Sequence, residues 1–449
     1  MVWYLEQTLA QTAMKAVIIL SAGHGKRMKS SLPKVLHNIA GKPMLQWAID
    51  AVRVLKADQI IVVTSPDLKN HPLLRGGDVV VQEVPLGTGD ALRTAAEKLN
   101  SAIDTVFLLC ADTPLLDVTD LKNLEFSKAD LTVVGMQLND LSKSYGRIEC
   151  NEGRPVAIRE TKHNDNAKNI AIANAGVYAF KVDMLKALLP DLKVTPESGE
   201  IYATDLVELA VAKKYTTELV LADEENFLGV NTLIELAQAE AIQQRRIKEQ
   251  HMLNGVQFML PETTYVNYDA EIGAGTVIEQ NVYIGANVHI AANVKILGFS
   301  YLSNCTIESG VSVGPFAHLR GNVVIEENAS IGNFVEVKGS HIGKNVKVKH
   351  LSYIGDATVE YGANIGAGTI TCNYNGFEKF KTSIGKNVMV GANSTLVAPV
   401  SIGDGAYIAA GSVITEDVAP DNLAISRTQQ QEKNAWASVF RAKYCKKLS

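Results

Sequence analysis

Between Val266 and about Val418 a small aliphatic residue returns every six positions, and no other feature of the 449-residue chain restricts its fold as tightly. The run reads Val266, Ile272, Ile278, Ile284, Ile290, Ile296, Leu302, then Ile307, Val313, Leu319, Ile325, Ile331, Val337, then Ile342, Val348, Ile354, and after an interruption Ile365, Ile384, Val390, Leu396, Ile402, Ile408, Ile414. A period of six matches neither the 3.6 residues of a helical turn nor a hairpin meander. It suits short parallel strands meeting at tight corners, where Gly, Asn and Asp supply the corner conformations. Three such strands make a triangular coil of about eighteen residues, and coils stack about 4.8 Å apart, each burying its neighbour's apolar face. Unrelated strands of a sandwich would not hold one phase for so long.

This array resembles the left-handed β-helix acyltransferases. The left hand is what the resemblance implies, since it runs against the usual right-handed crossover.

The length calls for at least two domains, and 47% apolar residues suffice for substantial cores. A net charge of −5 excludes nucleic acid as the main partner, because that requires a broad basic field. Any phosphate site has to be local. The cysteines Cys110, Cys150, Cys305, Cys372 and Cys445 are odd in number, scattered and without C-x-x-C spacing, as expected of reduced cytoplasmic thiols. No apolar run approaches membrane-spanning length, so no membrane insertion is expected. Residues 1–14, with Glu6 and no basic residue ahead of their short apolar stretches, make a poor signal peptide and read as an N-terminal extension; Met1 and Met14 both remain possible starts.

Residues 15–231 read as an α/β domain. Ala16 to Leu20 is a continuous apolar β run leading into Ser21-Ala22-Gly23-His24-Gly25-Lys26-Arg27-Met28 and then Pro33-Lys34. A buried strand entering a glycine-rich basic loop is suited to wrapping backbone N–H groups around phosphate, with Arg27 and Lys34 neutralising charge. The loop is neither a dinucleotide fingerprint nor a Walker A motif. Taken whole, Leu20-Ser21-Ala22-Gly23-x-Gly25-x-Arg27-Met28 with Pro33-Lys34 resembles the signature of sugar-nucleotide pyrophosphorylases.

Further strands at Ile60–Val63, Val79–Gln82, Val106–Cys110 and Leu131–Met136 alternate with helical stretches such as Met44–Leu55 and Gly89–Leu99, predicting a doubly wound fold with ligands beyond the carboxyl ends of its strands. Gln82, ahead of Pro85-Leu86-Gly87-Thr88-Gly89, has an amide that can complement uracil. Asp112, after the Val106–Cys110 strand, is a rigid hard-oxygen ligand for magnesium. Tyr145-Gly146-Arg147, Ile158-Arg159-Glu160, Ala173-Asn174-Ala175-Gly176 and Tyr202-Ala203-Thr204-Asp205 read as loops able to line a sugar pocket, and Gly229-Val230-Asn231 closes the domain. Residues 232–255 read as a linker helix, and 256–449 as the β-helix with a basic tail.

A pyrophosphorylase signature, a linker helix and a hexapeptide array in that order resemble the bifunctional N-acetylglucosamine-1-phosphate uridylyltransferase and glucosamine-1-phosphate N-acetyltransferase family. The resemblance implies acetylation of glucosamine 1-phosphate by acetyl-CoA, then joining of N-acetylglucosamine 1-phosphate to UTP with Mg²⁺, giving the UDP-N-acetylglucosamine used in cell-wall precursors. It implies a cytoplasmic homotrimer with acetyltransferase sites between subunits. Carried over by motif, Leu20, Ala22, Gly23, Arg27, Lys34, Gln82, Gly87 and Thr88 meet the nucleotide, Arg27 and Lys34 in a catalytic role. Asp112 and Asn231 hold the metal, and Gly146, Glu160 and Asn174, again with Asn231, hold the sugar. In the β-helix, Arg320, Lys338, Tyr353, Asn364 and Lys379 meet sugar phosphate, while Ala367, Asn373, Tyr374, Ala392, Ala410 and Arg427 meet acetyl-CoA. His24, Lys26, Cys110-Ala111 and Ala392 depart from the family pattern.

The repeat phase supplies an independent expectation. Arg320 follows core residue Leu319 and Lys338 follows Val337, so the two cations stack one coil apart and repel unless an anion lies between them. His350, third in its hexapeptide, should point outward beside that pair and serve as the base that frees the amine. The segment from Thr371 to Ser383 reads as an extruded loop whose Lys379 completes a neighbour's site. Two rival readings are a single-activity nucleotidyltransferase whose β-helix serves only assembly or regulation, and a trimeric scaffold without activity.

Overall fold

The structure, a computed structural model, describes residues 14–445 apart from 24, 76, 118–120, 123–126 and 162–164. The predicted extension, Met14 excepted, and His24 therefore lie outside the described residues. The chain forms two compact units, one ending at Arg246 and the other beginning at Ile247. No helix among the described residues is long and apolar enough to cross a membrane.

In the first unit the sheet runs in the order Thr217–Ala222, Leu131–Gln137, Ile172–Lys181, Ile103–Cys110, Met14–Ser21, Gln59–Thr64, Asp78–Val81. The unbroken apolar run of the first strand is explained by cover on both faces. Ala16 and Ile18 join one core with Ile61, Val63, Val106 and Leu108, while Val17 and Ile19 join another with Leu45, Val52 and Phe107. Met14–Ser21 pairs in parallel with both Gln59–Thr64 and Ile103–Cys110, so the strand order reverses there. The crevice beyond those carboxyl ends holds Ser21, Ala22, Gly23, Gly25 and Asp112.

One strand escapes the predicted pattern. Ile172–Lys181 is antiparallel to both neighbours, so Asn174, expected in a loop, lies in a strand. It also pairs with a hairpin, Arg147–Asn151 and Arg154–Arg159. That hairpin corrects the reading of Arg147 and Arg159 as pocket loops. Arg147 is fully buried and donates to the carbonyls of Tyr145, Leu141 and Lys143, pinning the preceding turn, while Arg159 pairs with Glu149 and Glu208.

The helix Leu233–Leu253 changes allegiance along its length. Ala239 is buried with Met28, Ile39 and Met44, Glu240 accepts from Ala40 N, and Arg246 donates to Leu115 O, all within the first unit. From Ile247 the contacts belong to the second: Ile247 packs on its core and Lys248 donates to the carbonyls of Pro261 and Thr264.

The second unit is a parallel β-helix of three sheets with ten, nine and eight strands. Each strand pairs in parallel with the one a coil further on, as Ile278 with Ile296, Ile284 with Leu302 and Ile290 with Ile307. The repeating aliphatic residues form one continuous core. The interruption is shorter than expected. Thr371 stands in a core position on strand Ile370–Cys372, fully buried, its hydroxyl accepting from Gly355 N at 2.7 Å and donating to Gly355 O. A threonine is nearly isosteric with valine, so the aliphatic pattern lapses while the coil continues. The excursion proper lies beyond it and folds back through a bridge between Tyr374 and Lys379.

Candidate functional sites

A cavity of about 500 Å³ opens where the first sheet reverses its strand order, lined among others by Leu20, Ala22, Gly23, Arg27, Lys34 and Gln82. Gly87, Thr88, Cys110, Asp112 and Glu200 complete the part that matters chemically. Lys34 Nζ lies 2.5 Å from Asp112 Oδ2 and 3.1 Å from Asn231 Oδ1, so the two oxygens expected to hold a metal already converge on one cation. Val230 N donates to Asp112 O at 2.8 Å and Asn231 N to Glu235 at 2.8 Å, fixing both ligands through backbone. A carboxylate and an amide oxygen fit a hard divalent ion that draws its remaining ligands from phosphate and water. Among the described residues no group of three or more His, Cys, Asp or Glu competes for such an ion.

Gln82 is buried, and its amide nitrogen donates to Gly87 O at 3.1 Å and Asp90 Oδ2 at 2.8 Å. With both donors engaged, what it presents to a ligand is the carbonyl oxygen, an acceptor. The turn beside it is clamped: Gly89 N donates to Ile201 O, Ile201 N to Leu86 O, and Ala203 N to Thr88 Oγ1. Gly87 has φ +108°, and a Cβ there would lie 2.4 Å from Ile201 O, so only glycine allows this approach. The same clamp carries Glu200 to the cavity, a residue passed over in the sequence because its placement depends on pairing with a segment over a hundred residues earlier.

Cys110 stands at the cavity wall, its thiol pushed up to about 12 by burial and then by Asp112. It serves as wall and not as nucleophile. Gly146, Glu160 and Asn174 form a separate cluster. Asn174 N donates to Gly146 O at 2.9 Å, and a Cβ on Gly146 would meet Glu160 Oε1 at 3.2 Å. Asn174's side chain is tied within its own strand, donating to Tyr178 Oη and accepting from Gly176 N.

In the β-helix one corner repeats through successive coils. The register sets Ile331, Val348, Ile365, Val390 and Ile408 in line, so the residues two places on, Asn333, His350, Ala367, Ala392 and Ala410, form a single column. Backbone bonds follow it: Leu351 N to Asn333 O, Gly368 N to His350 O, Asn393 N to Ala367 O and Gly411 N to Ala392 O. Arg427 Nη1 ends the ladder on Ala410 O at 2.8 Å. The residue following each column member takes the left-handed conformation; above His350 these are Phe316 and Phe334, stacked 5.0 Å apart, and below it Gly368, Asn393 and Gly411. Bulk ends at His350, and a shallow run of alanines begins.

His350 is exposed, its Nδ1 lies 2.7 Å from Asn333 Oδ1, and it lines a hollow of about 370 Å³ with Phe316 and Phe334. The expected stack of Arg320 over Lys338 is present in the register. Within the chain Glu336 already gives Arg320 an anion, accepting from its Nη2 at 2.6 Å and its Nε at 2.8 Å. Lys379, expected to reach a neighbour, lies close to Lys338 of its own chain, cation beside cation. In the register His350 pairs with Asn333 where the chain enters the face, and Lys338 pairs with Gly355 further along it. Tyr353 lies along that face, its Oη over Gly355, which pairs with Lys338. Asn373 donates to Asp356 and Tyr374 to Gly376 O at the cationic end, so they stand apart from the alanine column. Asn364 Nδ2 contacts Met389 Sδ at 3.2 Å on the sheet that leads into the column.

A nucleotide cavity built on a glycine-rich loop, joined in one chain to a hexapeptide β-helix, defines a transferase with two sites. The model of the MobA-like NTP transferase domain matches residues 17–135. That of the hexapeptide repeat of succinyl-transferase matches residues 275–315 and 381–416, and that of the bacterial transferase hexapeptide matches residues 304–339. The second unit is thus a left-handed parallel β-helix. Bifunctional protein GlmU of Paramagnetospirillum magneticum is 41% identical over 443 residues, 96% of this chain and 98% of that protein. Those of Azorhizobium caulinodans and Bartonella quintana are 42% and 39% identical, each over 95% of this chain and 97% of the relative. The chain belongs to the bifunctional GlmU family. It is an enzyme with uridylyltransferase and acetyltransferase activities.

Proposed function

We propose that the cavity at the strand reversal joins N-acetylglucosamine 1-phosphate to UTP, and that the β-helix corner acetylates glucosamine 1-phosphate with acetyl-CoA. The observation that carries this reading is the pair of separately built hollows, one with two oxygens converging on a cation, the other with a histidine heading an alanine column. In the first, the sugar-phosphate oxygen attacks the α-phosphorus and pyrophosphate leaves, with no protein nucleophile. Arg27 and Lys34 take up the pyrophosphate charge, Gln82 Oε1 accepts the uracil N3–H, and the Gly146, Glu160 and Asn174 cluster receives the acetylated sugar. A Mg²⁺ ion, which Asp112 and Asn231 would hold, would supply further charge neutralisation when bound.

In the second hollow His350 takes a proton from the ammonium of glucosamine 1-phosphate. The freed nitrogen bonds to the thioester carbonyl carbon, the C–S bond breaks, and the nitrogen's second proton passes to the departing sulfur, so that coenzyme A leaves as its thiol. Three coil spacings separate His350 from Ala410, about 14 Å, which suits an extended thioester arm ending at Arg427. Asn364, Tyr353, Arg320, Lys338 and Lys379 hold the sugar phosphate, and Asn373 and Tyr374 belong to the acetyl-CoA contacts. A homotrimer with acetyltransferase sites between adjacent prisms completes the reading. All five cysteines are free, in keeping with a cytoplasmic enzyme.

Product analysis tests the whole reading. Purified protein given glucosamine 1-phosphate, acetyl-CoA, UTP and Mg²⁺ should yield coenzyme A, pyrophosphate and UDP-N-acetylglucosamine. Pyrophosphate without coenzyme A release would leave only the nucleotidyltransferase.

A further inference from the structure

We propose that Asn333 is a positioning residue for acetyl transfer, fixing the tautomer of His350 so that Nε2 carries the lone pair that receives the substrate proton. The inference rests on the reading of His350 as the base, and concerns how the fold makes it one. Asn333 and His350 occupy the same repeat position in adjacent coils, paired in register, and the Asn333 Oδ1 to His350 Nδ1 distance is 2.7 Å. A carboxamide oxygen only accepts, so Nδ1 has to hold the hydrogen, and a neutral imidazole with its hydrogen on Nδ1 has its lone pair on Nε2. A free imidazole in water places its hydrogen more often on Nε2, which is the wrong tautomer for a base acting there.

The coil geometry makes the contact unavoidable. Strand Ser330–Asn333 lies against Lys347–His350, Leu351 N donates to Asn333 O at 3.0 Å, and Gly332 lets the strands approach, since a Cβ on it would meet Lys349 O at 1.9 Å. Backbone on both sides thus fixes the two Cα atoms that carry the pair. Among the described residues the hollow that His350 lines contains one other charged side chain, Lys349 on His350's own strand; from the strand above, Ser330 also lines the hollow and Asn333 hydrogen-bonds the ring. When the ammonium gives its proton to Nε2, the positive charge on the ring is met at Nδ1–H by the Asn333 dipole, and the proton leaves to solvent after coenzyme A departs.

The test uses full-length protein labelled with ¹⁵N-histidine, alongside acetyl-transfer kinetics. The wild-type His350 signals, assigned by their loss in His350→Ala, should report a hydrogen on Nδ1 and a bare Nε2. Asn333→Ala should mix the tautomers and lower kcat on the order of 10- to 100-fold with KM for glucosamine 1-phosphate little changed. Asn333→Asp should restore the tautomer, and its added charge should move the acid limb of kcat to higher pH, because a carboxylate stabilises the imidazolium. A merely structural role would move neither the tautomer nor the acid limb. A wild-type spectrum with the hydrogen on Nε2 would overturn the proposal, as would Asn333→Ala with unchanged kcat and tautomer. Full acetyl transfer by His350→Ala would instead sink the reading of His350 as base and leave the Asn333 contact standing. Should Asn333→Ala fail to fold, the near-isosteric Asn333→Asp still decides through its acid limb.

Discussion

Lys338 shares the far end of its β-helix face with two other cations. The close approach of Lys379 does most to hold its ammonium below the usual lysine range, followed by desolvation and repulsion from Arg320, against a smaller attraction from Asp356. A lowered lysine pKa means the charged form exists only below that value, and a sugar phosphate binds the charged form. The KM for glucosamine 1-phosphate should therefore rise on the alkaline side as Lys338 loses its proton. Lys379→Met removes the neighbour that lowers the pKa, so that rise should shift to higher pH. Lys338→Met should abolish it and raise KM at neutral pH by roughly 10- to 100-fold, the worth of one charge-assisted hydrogen bond. Initial-rate measurements across pH check all three; an alkaline rise unchanged in Lys338→Met would assign it to another group. The stacking of Arg320 and Lys338 was legible from the repeat phase alone. Glu336 and Lys379 were not, because which exposed side chains turn toward a neighbour is decided by rotamers and by the path of the excursion, and neither leaves a periodic trace.

The strands of the β-helix contribute little singly; the corner they repeat carries the proposed acetyl-transfer site. Aliphatic spacing made the array readable, since a core position recurs wherever the coil does. Thr371 marks the limit of that signal, its buried hydroxyl satisfied by Gly355 where a methyl would have kept the pattern visible. The antiparallel strand Ile172–Lys181 and the hairpin before it failed to stand out for a related reason. The hairpin's short strands mix buried, half-buried and exposed residues without a clean alternation, and the longer strand alternates only over its first half before a run of four buried residues. Along the corner the smallness of Ala367, Ala392 and Ala410 carries the argument. Ala392→Leu should obstruct the run without touching His350, raising KM for acetyl-CoA about tenfold or more while KM for glucosamine 1-phosphate stays near the wild-type value. Separate titration of the two substrates in a coenzyme A release assay distinguishes these, and equal changes in both would detach the alanine column from the thioester.

At the scale of the whole chain, two units whose cores share no member predict two activities that can be taken apart. The β-helix has one core of its own, which Ile247 joins, while the α/β unit is built on three others. The cut should fall inside the helix, before Ile247, and not at its end. Lys248 is buried with its ammonium on two carbonyls, and a fragment beginning at Gly255 exposes those carbonyls and the core beneath Ile247. A fragment from Ile247 should fold and melt several degrees above one from Gly255, since hydrogen bonds to a charged group contribute about 1.5 to 3 kcal/mol. In the full-length protein a chelator should stop UDP-sugar formation and leave coenzyme A release nearly unchanged, because the oxygens suited to a metal belong to the first unit and His350 needs none. Asp112→Ala should reproduce the chelator's effect without chelator. Coenzyme A release that fell with it in a folded variant would mean that the two sites, though separately built, do not work separately.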